Sequence, residues 1–92
     1  SGGGGDATSY ISQIKAKIEA NWSVPANSQG KTVRASFNIS SSGEISNIHI
    51  NGGDEILKAS LTKALQSSSP LPAPPADIYN KVASNNFTFT AE

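Results

Sequence analysis

The stretch TVRASFNI, from Thr32 to Ile39, decides the fold because apolar and polar residues alternate along it. Val33, Ala35 and Phe37 fall on one side of an extended chain together with the last residue of the stretch. A period of two places one face of a β-strand on a core and the other towards water. We therefore predict a strand here and expect it at the centre of a sheet.

A second strand is predicted directly after the first. A serine-rich loop with one glycine can form a hairpin turn, and Ile45–Asn51 then predicts the return strand. Within it Ile48 and Ile50 are in register, whereas Ile45 is out of phase with them. We therefore expect a β-bulge near Asn47.

Amphipathic helices are predicted on both sides of this hairpin. The first begins after a cap at Asp6 or Thr8 and ends before Pro25. The second begins after Asp54, whose carboxylate can accept backbone N–H bonds, and ends in the serines before Pro70. The predicted apolar stripes are Tyr10, Ile11, Ile14, Ile18 and Trp22 in the first helix, and Ile56, Leu57, Leu61, Ala64 and Leu65 in the second.

The last third of the chain adds a connector, a short helix and a third strand. The run PLPAPP at residues 70–75 predicts a stiff, extended connector that packs against the helices. Asp77 can cap a short helix, and the alternation around Phe87 and Phe89 predicts a strand over residues 86–91. The order α-β-β-α-α-β favours an α+β domain with a three-stranded antiparallel sheet, strand order 2-1-3, and helices packed on one face.

The composition argues against several classes of function. Seven basic and seven acidic residues balance along 92 residues, so the basic stripe of a nucleic-acid-binding protein is missing and no nucleic acid is expected as a partner. There is no cysteine for a disulfide or a thiolate zinc site. No apolar run approaches the roughly 20 residues that cross a bilayer, so we expect no membrane contact by this domain. The Ser/Gly composition predicts that residues 1–5 are an expression scar or a flexible linker, and we expect the domain to comprise residues 6–92.

No residue pattern in the sequence favours catalysis, a cofactor or a metal. His49 is the one histidine, and its place between two isoleucines predicts that it faces solvent, whereas a metal site needs three or four converging ligands. Asp54 and Glu55 are adjacent and point in different directions, so a helix cap is favoured over an acid–base pair. Gly52 and Gly53 match no phosphate-binding motif. We therefore expect no enzymatic activity and no cofactor.

The two outer strands of the predicted sheet are candidates for protein binding. An edge strand exposes unpaired N–H and C=O groups, which proteins normally protect with lysine, proline or a bulge. The last strand has none of these and is suited to β-augmentation by an extended peptide, although it is also short enough to be an edge without a function. The predicted binding residues are Asn86, Phe87, Thr88, Phe89, Thr90 and Ala91, and a second candidate edge is formed by Asn47, His49 and Asn51.

Several of these features together resemble a known domain. The first helix with Trp22, the hairpin with Phe37, the PLPAPP connector, and the final strand with Phe87 and Phe89 resemble the C-terminal periplasmic domain of TolA, in the TolA/TonB C-terminal superfamily. The resemblance covers nearly the whole chain. The chain lacks the disulfide that some TolA domains carry and the Tyr-Pro pair that introduces the TonB-type domain.

The resemblance implies a protein-binding tip of an inner-membrane protein of the Tol-Pal system, located in the periplasm, with a membrane anchor upstream. The partners that it implies are TolB and the Pal system, with a filamentous phage minor coat protein and colicins as parasites of the same domain. The implied role is envelope integrity and outer-membrane constriction at division. A TonB-like domain that couples energy to outer-membrane transporters is the alternative, and a purely structural envelope spacer is a further one.

Overall fold

The computed structural model describes residues 7–91, and its elements follow the predicted order. The elements are helix α1 (Ala7–Ala20), strands β1 (Thr32–Ile39) and β2 (Ile45–Asn51), helix α2 (Glu55–Ser68), a 3-10 turn (Ala76–Ile78), helix α3 (Tyr79–Val82) and strand β3 (Ser84–Thr90). The strands form one antiparallel sheet in the order β2-β1-β3. The predicted α+β fold and strand order are therefore confirmed. The interpretation of residues 1–5 and the Asp6 cap lie outside the described residues.

The core lies between one face of the sheet and the helices. All four apolar residues of β1 are at most 3% exposed, as their alternation predicts. The helices contribute buried residues to the core: Tyr10, Ile14 and Ile18 from α1, and Leu57, Leu61, Ala64, Leu65 and Ser68 from α2. Ser68 is the one serine of this set, and its hydroxyl donates to the carbonyl of Ala64 at 2.8 Å. Burying one large apolar side chain contributes about 1.5–3 kcal/mol, so this layer is the main source of stability. Within residues 7–91 no helix is long and apolar enough to cross a bilayer.

Asp54 is the N-cap of α2, as the sequence predicts. Its Oδ1 accepts the backbone N–H of Leu57 at 2.8 Å, and Lys31 Nζ lies 3.2 Å from Oδ2. The Leu57 hydrogen bond first, and Lys31 second, hold the pKa of Asp54 below its usual value because both favour the carboxylate. Ile56 is 69% exposed, so its predicted place in the apolar stripe is wrong. At 3.6 residues per turn it points about 140° away from Leu61, which lies near the middle of the buried stripe.

Three predicted helix-end features differ in the structure. α1 begins at Ala7, so Thr8 is its second residue and not the residue that precedes it. α1 ends at Ala20, so Trp22 follows the helix; its indole Nε1 donates to Ser60 Oγ at 2.8 Å and the ring packs half-buried against the core. Asp77 lies within the 3-10 turn, which has no side-chain cap.

The proline-rich connector packs onto the domain. Leu71 is 3% exposed, and its N–H donates to the carbonyl of Gly43 at 2.8 Å. The Tyr10 hydroxyl donates to the carbonyl of Pro72 at 2.7 Å, and burial raises the pKa of that hydroxyl. Gly43 has a φ of +92°, and a Cβ there would collide with the carbonyl of Leu71. The hairpin loop therefore needs glycine both for its conformation and for contact with the connector.

Candidate protein-binding edge

Strand β3 forms one edge of the sheet. It pairs with β1 through seven consecutive residue pairs, from Asn38 with Ser84 to Thr32 with Thr90, without any shift of register. Among residues 7–91, no strand lies on the other side of β3. It begins two residues before the predicted strand and ends one residue earlier.

Hydrogen bonds at the two ends of this ladder determine which backbone groups face the open edge. The N–H of Ile39 donates to the carbonyl of Ala83 at 2.9 Å, and the N–H of Ala91 donates to the carbonyl of Lys31 at 2.9 Å. Hydrogen-bonded and non-bonded pairs alternate in an antiparallel ladder. The odd-numbered residues of β3 therefore direct their N–H and C=O groups towards β1.

The even-numbered residues of β3 direct their backbone groups away from the sheet. In the middle of the strand these are Asn86 and Thr88, which lie opposite Ser36 and Arg34 in non-bonded pairs. Their N–H and C=O groups form the alternating donor and acceptor row that an added strand requires.

Ala91 does not contribute to this row. It follows the end of β3 and is 1% exposed. Its N–H donates to Lys31 as described, and its carbonyl accepts the N–H of Gly30 at 2.8 Å. Both backbone groups are therefore used inside the domain, so the prediction that Ala91 offers an edge position is wrong.

The protections that usually blunt an edge strand are absent from β3. Its sequence, SNNFTFT, contains no lysine and no proline, and the unbroken register with β1 excludes a bulge in it. No bulge therefore interrupts the row of outward backbone groups.

On the helix side, β3 carries an aromatic cluster. Phe89 is fully buried; the Trp22 ring meets it edge-on with centroids 6.0 Å apart, and Lys15 Nζ lies 5.8 Å from its centroid. Phe87 lies 5.9 Å from Phe89 and 5.7 Å from Phe37, centroid to centroid. Phe87 is only partly buried, so a strand added beside β3 would cover more of its ring. The contact of Trp22 with β3 joins residues far apart in sequence, which local patterns cannot predict.

The opposite edge, β2, is interrupted by the predicted bulge. The register with β1 shifts between Ser36 and Asn38, and Asn47 adopts a φ of +52°. The Asn47 side-chain amide donates to Asn38 Oδ1 at 2.9 Å, and this hydrogen bond links the bulge to β1. The predicted bulge near Asn47 is confirmed.

The side chains that define the second candidate edge all face solvent. Asn47, His49 and Asn51 are exposed, so the predicted solvent exposure of the histidine is confirmed. The odd-numbered residues of β1 direct their backbone groups towards β3, so its even-numbered residues direct theirs towards β2. His49 and Asn51 lie opposite two of these even-numbered residues. The backbone groups of His49 and Asn51 are therefore directed into the sheet. Within residues 7–91 no group of three or more histidine, aspartate or glutamate side chains could hold a metal ion.

A family model described as TonB C terminal matches residues 7–91. The match spans every element of the fold, from the start of α1 to the residue after β3. No curated protein matches the chain.

Two solved structures show the same fold at low sequence identity. The first is a solution NMR structure of TolAIII bound to a peptide derived from the N-terminus of TolB, with a TM-score of 0.73, 19% identity, and coverage of 86% of this chain and 69% of that chain. The second is an NMR structure of the Helicobacter pylori TonB C-terminal domain, with a TM-score of 0.69, 17% identity, and coverage of 90% of this chain and 92% of that chain.

Proposed function

The chain belongs to the TonB C-terminal family, and from this premise we propose that it is a non-catalytic, periplasmic protein-binding domain that accepts an extended segment of a partner on the β3 edge. The observation that carries the proposal is the unbroken row of outward N–H and C=O groups at Asn86 and Thr88. Main-chain hydrogen bonds supply the affinity in β-augmentation, and alternate side chains supply the specificity.

The N-terminal segment of TolB is the ligand that we propose first. TolAIII, which shares this fold, was solved with a peptide derived from that segment. On this reading the chain is the tip of a TolA-like, inner-membrane-anchored protein of the Tol-Pal system that supports envelope integrity and outer-membrane constriction at division. Pal-system proteins, filamentous phage minor coat protein and colicins are further proposed partners, and they follow from the resemblance of the sequence.

A TonB-like domain that couples energy to outer-membrane transporters is the second candidate function. The observation that favours it is coverage: the chain spans 92% of the TonB C-terminal domain and 69% of TolAIII. The two candidates share the binding edge and differ in the peptide that it accepts.

A titration followed by NMR tests both candidates on the same chain. The 15N-labelled protein is titrated separately with the N-terminal peptide of TolB and with the TonB-box peptide of an outer-membrane transporter. We expect one peptide to shift the amide signals of Ser84–Thr90, with modest affinity because the peptide loses conformational entropy when it orders. Shifts confined to the helices, with β3 silent, would contradict the proposed edge. A response to the TonB-box peptide alone would favour the TonB-like function.

The second edge is proposed only as a site for a different partner. Asn47, His49 and Asn51 present exposed side chains there, but the bulge interrupts the backbone row that an added strand needs. We therefore expect any partner of this edge to contact side chains and not to extend the sheet.

A further inference from the structure

The face of the sheet that the helices leave open carries one arginine among neutral polar residues. The register and the alternation of the strands place eleven described residues on this face. Apart from Arg34 all are serine, threonine, asparagine or histidine: Thr32, Ser36, Asn38, Ser46, His49, Asn51, Ser84, Asn86, Thr88 and Thr90. Arg34, on the central strand, is therefore the only arginine or lysine among these eleven residues, and none of the eleven is acidic.

Arg34 has no partner within residues 7–91. Its side chain makes no hydrogen bond and no ion pair there, whereas four lysines of the chain each contact a carboxylate, a carbonyl or an aromatic ring: Lys15, Lys17, Lys31 and Lys58. A guanidinium presents a planar fork of donors that matches a carboxylate. The open face thus has an unused anion-binding group.

Arg34 lines a shallow depression that lies against β3. The depression has a volume of about 440 Å³ and is lined by Thr32, Val33, Arg34, Asn51, Gly52 and Thr88. No lining residue is acidic, and the hydroxyl and amide groups of its threonines and asparagine are hydrogen-bonding groups for a carboxylate. Thr88, which lies directly opposite Arg34, forms the wall on the β3 side.

The depression is within reach of a strand added to β3. Such a strand would lie two strand spacings from β1, roughly 10 Å, with the short side chain of Thr88 in between. An extended arginine and a glutamate or aspartate can span that distance together over a threonine. A longer residue in place of Thr88 would obstruct this path.

We propose that the segment that pairs with β3 carries an acidic side chain on the open face of the sheet, and that Arg34 binds this side chain across Thr88. The inference rests on the proposed β-augmentation and adds the chemistry of the partner. The neighbouring residues of the segment turn to the helix side and meet Phe87, which is partly buried, so they are apolar. The recognised pattern alternates apolar residues with polar ones, of which at least one is acidic.

Selection from a random octapeptide library in mRNA display tests the inference without assuming a partner. The library is selected in parallel against the wild-type chain, Arg34→Gln and Lys63→Gln. The last variant is the matched control, because it removes the same charge from the exposed face of α2. Near-surface charge pairs are worth little, so we expect Asp and Glu at one alternating position to be enriched about two- to fivefold by wild type and by Lys63→Gln. We expect Arg34→Gln not to enrich Asp and Glu at that position. For wild type, the enrichment of Asp and Glu should be smaller at 1 M salt.

The outcomes separate this inference from the proposed function. If selected peptides shift the amides of Ser84–Thr90 but wild type and Arg34→Gln select equal acidic content, the role of Arg34 is overturned and the β3 edge stands. If no selected peptide shifts those amides, the β3 edge is contradicted and the inference with it. Circular dichroism of both variants checks that they keep the fold; Arg34 and Lys63 are exposed, so both are expected to do so.

Discussion

The two edges of the sheet flank the same central strand and differ in regularity. β3 keeps one register with β1 over its whole length, whereas β2 breaks its register at Asn47. A bulge re-aims the backbone groups around it, so β2 has no continuous row for an added strand. The difference teaches that exposure alone does not give an edge the continuous backbone row that an added strand needs. The uninterrupted alternation of bonded and outward residues is what distinguishes β3.

The two edges also differ in how firmly the core anchors them. β3 inserts Phe89, which is fully buried, while the isoleucines of β2, including Ile48, are only partly buried. We expect Phe89→Ala to lower the free energy of unfolding by about 3–5 kcal/mol because it opens a cavity beside Trp22. Ile48→Ala is the matched change on β2 and should cost about 1 kcal/mol. Urea unfolding measures both, and equal losses would contradict the difference in anchoring.

Removing one outward donor tests the β3 edge itself. Thr88→Pro removes the N–H that faces away from β1, and proline is tolerated at such edge positions. One backbone hydrogen bond contributes about 0.5–1.5 kcal/mol, so binding of the TolB N-terminal peptide should weaken about tenfold. Thr88→Val keeps the N–H and the shape, and should bind within about twofold of wild type. Isothermal titration calorimetry measures both affinities. A folded Thr88→Pro variant that binds like wild type would count against the edge.

The bulge in β2 depends on a residue that tolerates a positive φ. Asn47 adopts this conformation at +52°, which a β-branched residue disfavours, so Asn47→Val should lower the free energy of unfolding by about 1 kcal/mol. Asn47→Gly is the control: it loses the same side-chain hydrogen bond to Asn38 as valine does, and it should be more stable than Asn47→Val by about 1 kcal/mol because glycine accepts the conformation. Chemical denaturation compares the three proteins. If valine is tolerated as well as glycine, the conformation of Asn47 is not what maintains the bulge.

The smallest effect is expected at Asp54, which caps the helix that follows β2. The pKa of Asp54 is lowered in the folded chain, so its charge stabilises the fold above the ordinary aspartate value of about 3.9. That contribution is lost as the pH falls through the lowered pKa. We expect Asp54→Asn to melt at a lower temperature than wild type at pH 7 and at the same temperature once Asp54 is protonated.

Thermal melts at several pH values measure this difference, and a gap that persists in acid would contradict it. Lys31→Gln is the control. Because it keeps the hydrogen bond from Leu57 to Asp54, it should reduce only in part the difference in melting temperature between aspartate and asparagine at position 54. Peptide binding at β3 should be unchanged in both variants, because neither residue lies at that edge.

The sequence predicts the elements of this fold well where a pattern is local. The alternation in β1 and the phase of Ile45 against its neighbours identify the central strand and the bulge, and both are confirmed. The prediction that Ile56 is buried is wrong, because an apolar residue at the margin of a helical stripe can face either the core or the solvent. Ser84 and Asn85 are polar, so the sequence gives no apolar alternation that would place them in β3. They belong to the strand because they pair with β1.

The proposed binding edge is predicted from the sequence only in part. The absence of lysine and proline from the last strand is visible in the sequence, and it is enough to select β3 as the candidate edge. Which residues direct their backbone groups outward depends on the register with β1, and so does the placement of Thr88 beside Arg34. The burial of Ala91 depends on its bonds to Gly30 and Lys31, which are distant in sequence.

Amide hydrogen exchange along β3 tests the central claim most directly. In the free chain the amides of Phe87 and Phe89 should exchange slowly and those of Asn86 and Thr88 rapidly, because only the former are bonded to β1. With saturating TolB N-terminal peptide, the amides of Asn86 and Thr88 should become slow while those of β2 keep their rates. Rapid exchange at Asn86 and Thr88 in the saturated complex would contradict the account.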